Sequence, residues 1–196
     1  MKLLSIAAAT LMMAAMFVVG ANAQANVENA PAKDRLTIQL KDGDVVIQLY
    51  PSVAPKAVAR LETLARQGDF DNVAFHRVIE GFMAQTGDVQ YGDMKDGFDP
   101  SLVGTGGSKL PDLPAEFSDM PFKRGTVGMA RSQDPNSANS QFFIMFADGP
   151  FLNGKYTVVG QVIKGMDLVD KIKRGSESDN GAVTDPDRMI KVTVGG

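Results

Sequence analysis

Three short segments hold the side chains with chemical potential. The first is Phe75-His76-Arg77-Val78-Ile79-Glu80-Gly81-Phe82-Met83-Ala84-Gln85-Thr86-Gly87-Asp88. The second is Ser140-Gln141-Phe142-Phe143-Ile144-Met145, and the third is Phe151-Leu152-Asn153-Gly154-Lys155-Tyr156-Thr157-Val158-Val159-Gly160. Extended chain puts alternate residues on opposite faces. Phe142, Ile144 and Phe146 then face one way and Gln141, Phe143 and Met145 the other, while Met83 and Gln85 share a face opposite Ala84. Two strands thus each set a large apolar side chain two residues from a glutamine. A small barrel fills its interior with apolar residues, so a face mixing Phe or Met with Gln reads as an outer groove, a greasy pocket with hydrogen-bonding edges. The competing reading packs Phe143 and Met83 under a loop, and the pattern alone weighs the two equally.

Other chemistries fall away on residue counts and spacing. There is no cysteine, which excludes disulfides, thiol nucleophiles, iron–sulfur clusters and thiolate zinc sites. The single histidine, His76, excludes zinc sites built on paired histidines. His76 with Asp88 or Ser140 suggests a hydrolase, but no Gly-x-Ser-x-Gly elbow surrounds any serine. The plainer reading is a strand histidine making one hydrogen bond. Gly104-Thr105-Gly106-Gly107-Ser108-Lys109 lacks the spacing of a phosphate loop and reads as a glycine turn. Asp93, Asp96 and Asp99 recur at every third position, not at the alternate positions of a calcium loop, so they read as a solvated turn. Met120 and Phe122 read as packing residues, and Arg77, taken alone, as a strand arginine holding an ion pair.

The elements that must position these residues are mostly strands. The chain has 196 residues, enough for one ordinary domain, with 44% hydrophobic and 22% charged residues, a globular composition. Strands are expected at Arg35–Leu40, Val45–Tyr50, Ala74–Ile79, Met83–Thr86, Thr126–Arg131, Gln141–Phe146, Thr157–Val162 and Met189–Val194. Asp42-Gly43 supplies the turn of a first hairpin. One helix is expected to start near Pro55, with Val58, Leu61, Leu64 and Ala65 on one face and Gly68 ending it. A second is expected from Met166 to Lys173, with Met166, Val169 and Ile172 on one face. The fold class is therefore all-β: about eight strands closed into a small antiparallel barrel, its open ends capped by two α-helices.

The amino terminus carries an address. Met1-Lys2 is a basic start, Leu3 to Val19 is uncharged and apolar, and Ala21-Asn22-Ala23 matches the small-x-small cleavage pattern. The apolar run is shorter than the ~20 residues that span a bilayer, and no basic stop-transfer cluster follows. Residues 1–23 are therefore expected to be a cleaved signal peptide, 24–34 a flexible leader, and 35–196 the folded domain. No cysteine follows the apolar run, so a lipoprotein anchor is excluded. The expected location is the periplasm or the medium, with no stable membrane anchor. Twenty basic residues against 23 acidic leave a net charge of -3, a poor basis for binding nucleic acid or anionic membrane.

The three segments, with Gly104–Ser108 and Val127-Gly128-Met129-Ala130-Arg131, resemble the cyclophilin family of peptidyl-prolyl cis-trans isomerases. The pattern FHR-x-I-x-GFM-x-Q-x-GD, followed by SQFFI and FL-x-GK, is specific to it, and the match runs from about Arg35 to the carboxyl terminus. The signal sequence and loops make bacterial periplasmic members the most similar. The resemblance implies a rotamase that turns X–Pro peptide bonds to assist the folding of exported proteins. Arg77 and Gln85 are the implied catalytic residues. Phe82, Met83, Phe143 and Leu152 match the pocket for the proline ring, Gln141 a groove residue, and Ala130 and Arg131 the backbone beside the residue before proline. Phe151 stands where many eukaryotic members have a tryptophan whose indole N–H bonds cyclosporin, and Tyr156 where a histidine is common. The resemblance implies proline-containing polypeptides as partners, weak cyclosporin binding, a monomer, and neither cofactor nor metal. A non-catalytic proline-peptide-binding chaperone on the same fold would keep the pocket but has no need of Arg77. A scaffold acting through Val89–Val103 would need neither.

Overall fold

The structure, a computed structural model, describes residues 32–195. The expected signal peptide, residues 1–23, lies outside the described residues, as does the leader up to residue 31. Ala32–Asp34 form a single 3-10 turn leading into the first strand.

Strands β1 (Arg35–Leu40) and β2 (Gly43–Leu49) pair as a hairpin from Arg35 opposite Gln48 to Leu40 opposite Gly43, around the Asp-Gly turn. Six further strands follow: β3 (Arg77–Ile79), β4 (Met83–Thr86), β5 (Thr126–Met129), β6 (Phe142–Met145), β7 (Val158–Lys164) and β8 (Lys191–Val194). They form one antiparallel sheet in the order β3-β4-β6-β5-β7-β2-β1-β8. Register shifts between β2 and β7 at Val46/Ile47 and between β5 and β7 at Val127/Gly128 add local twist and make the sheet curl.

The expected closed barrel does not form. β3 and β8 are both edge strands of the eight-stranded sheet, and the result is a curled half-barrel. The regions beside these edges approach through single contacts: a bridge between Ala74 and Arg188, Phe75 N–H to Asp187 O at 2.8 Å, and Met189 N–H to Val73 O at 2.9 Å. The reason is local. Pro186 has no N–H to give a ladder, and Asp185 at φ 53° leaves the extended conformation. Accordingly the strand expected from Ala74 starts at Arg77, and the one expected from Met189 starts at Lys191.

Two α-helices are present among the described residues. Helix α1 (Pro55–Gln67) has proline in its first turn and buries Ala57, Val58, Leu61, Leu64 and Ala65. Its amino end is capped from a distance, because the Glu116 carboxylate accepts the Lys56 and Ala57 N–H groups at 3.1 and 2.9 Å. Gly68, left-handed at φ 79°, ends it. Helix α2 is shorter than expected, Met166–Val169. Beyond it Lys171 and Ile172 bond back three residues to Leu168 and Val169, so tight turns replace the helix while Ile172 stays buried.

Strand alternation divides the apolar residues into two clusters. Leu36, Ile38, Ile47, Leu61, Ala84, Phe142 and Ile144 belong to the larger one, inside the curl. Met83, Phe122, Phe143, Met145, Leu152 and Val158 form the second, on the opposite face of the same strands. The second cluster supports the site.

Candidate active site

Sheet register builds a row of side chains across four strands. Arg77 on β3 lies opposite Gln85 on β4, Gln85 opposite Phe143 on β6, and Phe143 opposite Gly128 on β5. Residues directly opposite in a sheet sit about 4.5–5.5 Å apart, so the row is in contact without any loop having to bring it together. Ile79, Met83 and Met145 make the neighbouring row two residues along.

The polar half of the row is a chain of hydrogen bonds. Arg77 Nη1 donates to Gln85 Oε1 at 3.1 Å, and Gln85 Nε2 donates to Gln141 Oε1 at 2.9 Å. Gln141 Nε2 donates in turn to Gly104 O at 3.0 Å and Gly106 O at 2.8 Å. Only one assignment of the two amides satisfies this chain. Two backbone carbonyls demand the NH2 of Gln141, so its oxygen must face Gln85, whose own oxygen is then left for the guanidinium. The glycine loop is itself held: Asp88 Oδ2 accepts the N–H groups of Gly104 and Gly106 at 2.7 and 2.9 Å, and Oδ1 those of Gln90 and Tyr91 at 3.0 Å each. Asp88 is therefore a loop anchor with both oxygens occupied, not a partner for a catalytic base. Buried Arg60 adds a second tie, reaching from α1 to Pro111 O at 2.7 Å and Asn139 O at 3.2 Å.

The apolar half is a hollow of about 350 Å³ lined by Arg77, Phe82, Met83, Gln85, Ala130, Arg131, Phe143, Phe151, Leu152 and Tyr156. These are ten of the residues the sequence singles out. Gln141, the other, borders an adjoining depression that shares Gln85, Ala130 and Arg131 with it. Phe143 forms the floor, stacked on Phe122 at 5.7 Å between centroids and met edge-on by Tyr156 at 5.9 Å. Phe82 and Phe151, 5.5 Å apart, form a rim, and Phe151 is 59% exposed. Arg131 lies over the Tyr156 ring at 4.3 Å, and its guanidinium bonds Ser132 O at 2.8 Å and Lys155 O at 3.0 Å. Those contacts make it a wall rather than a free cation. The N–H of Ala130 is given to Gln141 O at 2.9 Å, which fixes that strand end at the hollow's edge. A second hollow, bordered by Leu40, Leu168, Ile172 and Ile190, carries the Lys41–Asp187 ion pair at 2.7 Å on its rim, with Asp42, Lys171 and Arg188 also lining it.

Electrostatics set Arg77 apart. The ion pair that its residue type suggests does not form: among the described residues its hydrogen-bond acceptors are neutral, namely Gln85 Oε1, Asn180 O and Asn180 Oδ1, with Met83 Sδ at 3.8 Å. Burial pushes its pKa down from the ordinary arginine value, opposed by Tyr156. A half-buried guanidinium with no carboxylate on it keeps its charge available to whatever enters the hollow. His76, next in sequence, is buried on the other side of the strand and neither ring nitrogen makes a well-aligned hydrogen bond, in contrast to the one bond expected. Burial lowers its pKa, and the nearby Asp88 carboxylate opposes the shift.

Phe122, Gly128 and Asn180 belong to the site and were not singled out for it. Asn180 had a sequence signal in the turn-forming dipeptide Asn180-Gly181, and Gly128 lay within the Val127–Arg131 motif without its own role being legible. Phe122 and Gly128 act through packing that only the folded register brings about.

Comparisons with known proteins bear on this geometry. The family model described as cyclophilin type peptidyl-prolyl cis-trans isomerase matches residues 35–194. A probable peptidyl-prolyl cis-trans isomerase of Brucella suis is 66% identical over 171 residues, spanning 86% of this chain and 87% of the relative. Peptidyl-prolyl cis-trans isomerase B of Escherichia coli is 38% identical over 146 residues, 70% of this chain and 83% of the relative. Among solved structures, a cyclophilin from Hirschia baltica superposes with TM-score 0.69 at 25% identity, covering 87% of this chain and 78% of that one. A Cryptosporidium parvum cyclophilin crystallised in the presence of the dipeptide Ala-Pro gives TM-score 0.70 at 26% identity, covering 83% and 99%.

Proposed function

The chain belongs to the cyclophilin-type peptidyl-prolyl cis-trans isomerases, and from that premise we propose that its outer-face hollow seats a proline ring while Arg77 meets the imide nitrogen. The enzyme is an isomerase, and its reaction makes and breaks no covalent bond. An X–Pro bond turns only by twisting about a partial double bond, over a barrier of ~18–20 kcal/mol. In the planar amide, nitrogen shares its lone pair with the carbonyl. In the twisted state the pair is localised on nitrogen and becomes a hydrogen-bond acceptor. A guanidinium N–H aimed there bonds only to the twisted form, which is selective binding of the transition state.

The observation that carries this reading is the un-neutralised guanidinium of Arg77 on the wall of an aromatic hollow. One charged hydrogen bond contributes about 1.5–3 kcal/mol, or roughly one to two powers of ten. The hollow supplies the rest by holding the ring still and excluding water from the dipolar planar amide. Gln85 keeps Arg77 in place, Gln141 extends the groove, and the chain end at Ala130 and Arg131 flanks the residue before proline. The Ala-Pro dipeptide with the similar Cryptosporidium protein supports a proline-containing ligand here. We further propose that the protein is exported by way of residues 1–23, works as a monomer, and assists the folding of other exported proteins. A mature protein whose first residue is not Gln24 would contradict that route.

The decisive experiment measures isomerisation of a short X–Pro peptide by protein lacking residues 1–23. Arg77→Ala should lower kcat ten- to a hundredfold with the melting temperature moved by no more than about 3 °C. Unchanged turnover would remove Arg77 from the mechanism.

A further inference from the structure

We propose that Asn180 is a positioning residue for Arg77, an inference that rests on the catalytic reading above. A guanidinium has five N–H donors in a fixed fork. Asn180 takes two from one edge, its backbone oxygen accepting Nε–H at 3.0 Å and its side-chain Oδ1 accepting from Nη2 at 3.0 Å. Gln85 takes a third, on Nη1, at 3.1 Å. The fork is thus held from both ends. Its remaining N–H groups are left to the hollow, where Met83 Sδ, a weak acceptor 3.8 Å from Nη1, is readily displaced by a better one.

The backbone explains how one residue presents two acceptors to the same group. Asn180 is left-handed at φ 47°, a conformation that asparagine tolerates better than most residues, and Gly181 follows at φ 82°. The segment is docked along β3: Ala182 bridges both Arg77 and Ser176, Val78 N–H bonds Gly181 O at 2.8 Å, and Gly175 N–H bonds Val78 O at 2.9 Å. Gly181 is buried beside Ile79, where a β-carbon would come to 2.5 Å from Cγ1. Asn180 itself is exposed, so packing makes no demand on its side chain. Glycine would satisfy the dihedral angle equally well, and what asparagine adds is Oδ1 on the guanidinium.

That difference supplies the test. Asn180→Gly keeps the dihedral angle and the backbone acceptor, and removes Oδ1 with the rest of an exposed side chain. With an X–Pro peptide it should lower kcat three- to tenfold while KM stays within twofold and the melting temperature within about 2 °C. In an Arg77→Ala background, Asn180→Gly should cause no further loss, since it acts only through the arginine. Parental kcat in Asn180→Gly, or an additive loss in the double variant, would each overturn the inference. Full turnover by Arg77→Ala alone would instead overturn the catalytic reading, so the two failures are distinct.

Discussion

Gly128 lies directly beneath the ring of Phe143. A β-carbon added to Gly128 would sit 2.7 Å from Phe143 Cζ and 2.6 Å from Phe122 Cε1, closer than side chains approach one another. The depth of the hollow therefore depends on a residue with no side chain. Opposed to Phe143 in the register, Gly128 lets that ring lie flat across β5 and stack on Phe122. A larger residue would lift the floor toward the rim.

Two substitutions bracket this arrangement. Gly128→Ala should weaken binding of a proline peptide at least fivefold and destabilise the protein by about 1–3 kcal/mol, the range for overpacking. Phe143→Ala should also weaken binding, by loss of the floor, and cost about 3–5 kcal/mol, the range for a buried Phe-to-Ala change. Peptide titration and urea unfolding read both quantities. Normal affinity in either variant would refute the assignment of the hollow to the proline ring.

The character of Phe151 predicts how the site should treat cyclosporin. It is 59% exposed at the rim beside Phe82 and offers apolar surface but no N–H. The parent should bind cyclosporin weakly. Phe151→Trp supplies a donor on a similar ring, and one neutral hydrogen bond contributes about 0.5–1.5 kcal/mol, so affinity should rise about two- to twelvefold. Potent inhibition of the parent would show that the rim contact does not depend on that donor.

How much of this was legible in the chain follows from the range of each interaction. The β1–β2 hairpin and α1 rest on local turns, caps and periodicity, so they could be read directly. The same holds for the opposite faces of Phe142 and Phe143, which strand alternation alone determines. Barrel closure could not be read, because it depended on pairing residues more than a hundred positions apart across Asp185 and Pro186. The neutral surroundings of Arg77 were hidden for the same reason: Asn180 lies 103 residues away in sequence. His76 was misread because strand context gives no indication that the Gly104 loop covers the ring.

That covered ring predicts a particular acid sensitivity. His76 lies against Gly104, where a β-carbon would be 3.2 Å from Cδ2, and the charged groups acting on it are Asp88 and Arg77. Burial, the largest influence, lowers its pKa below that of an unfolded histidine at about 6.5; Arg77 adds to the effect and Asp88 opposes it. Just below that pH the unfolded chain binds a proton that the folded protein does not, so stability rises with pH across the window. The contribution is complete above about pH 6.5 and is lost progressively as pH falls from there toward the folded pKa. Carboxylates contribute mostly at lower pH, and His76→Gln removes the imidazole while leaving them in place. Urea midpoints at pH 7.5 and 5.5 should therefore fall further for the parent than for His76→Gln. Equal slopes, or a parent that gains stability on acidification, would mean that the imidazole is hydrated in the folded state and does not support the loop from which Gln141 hangs.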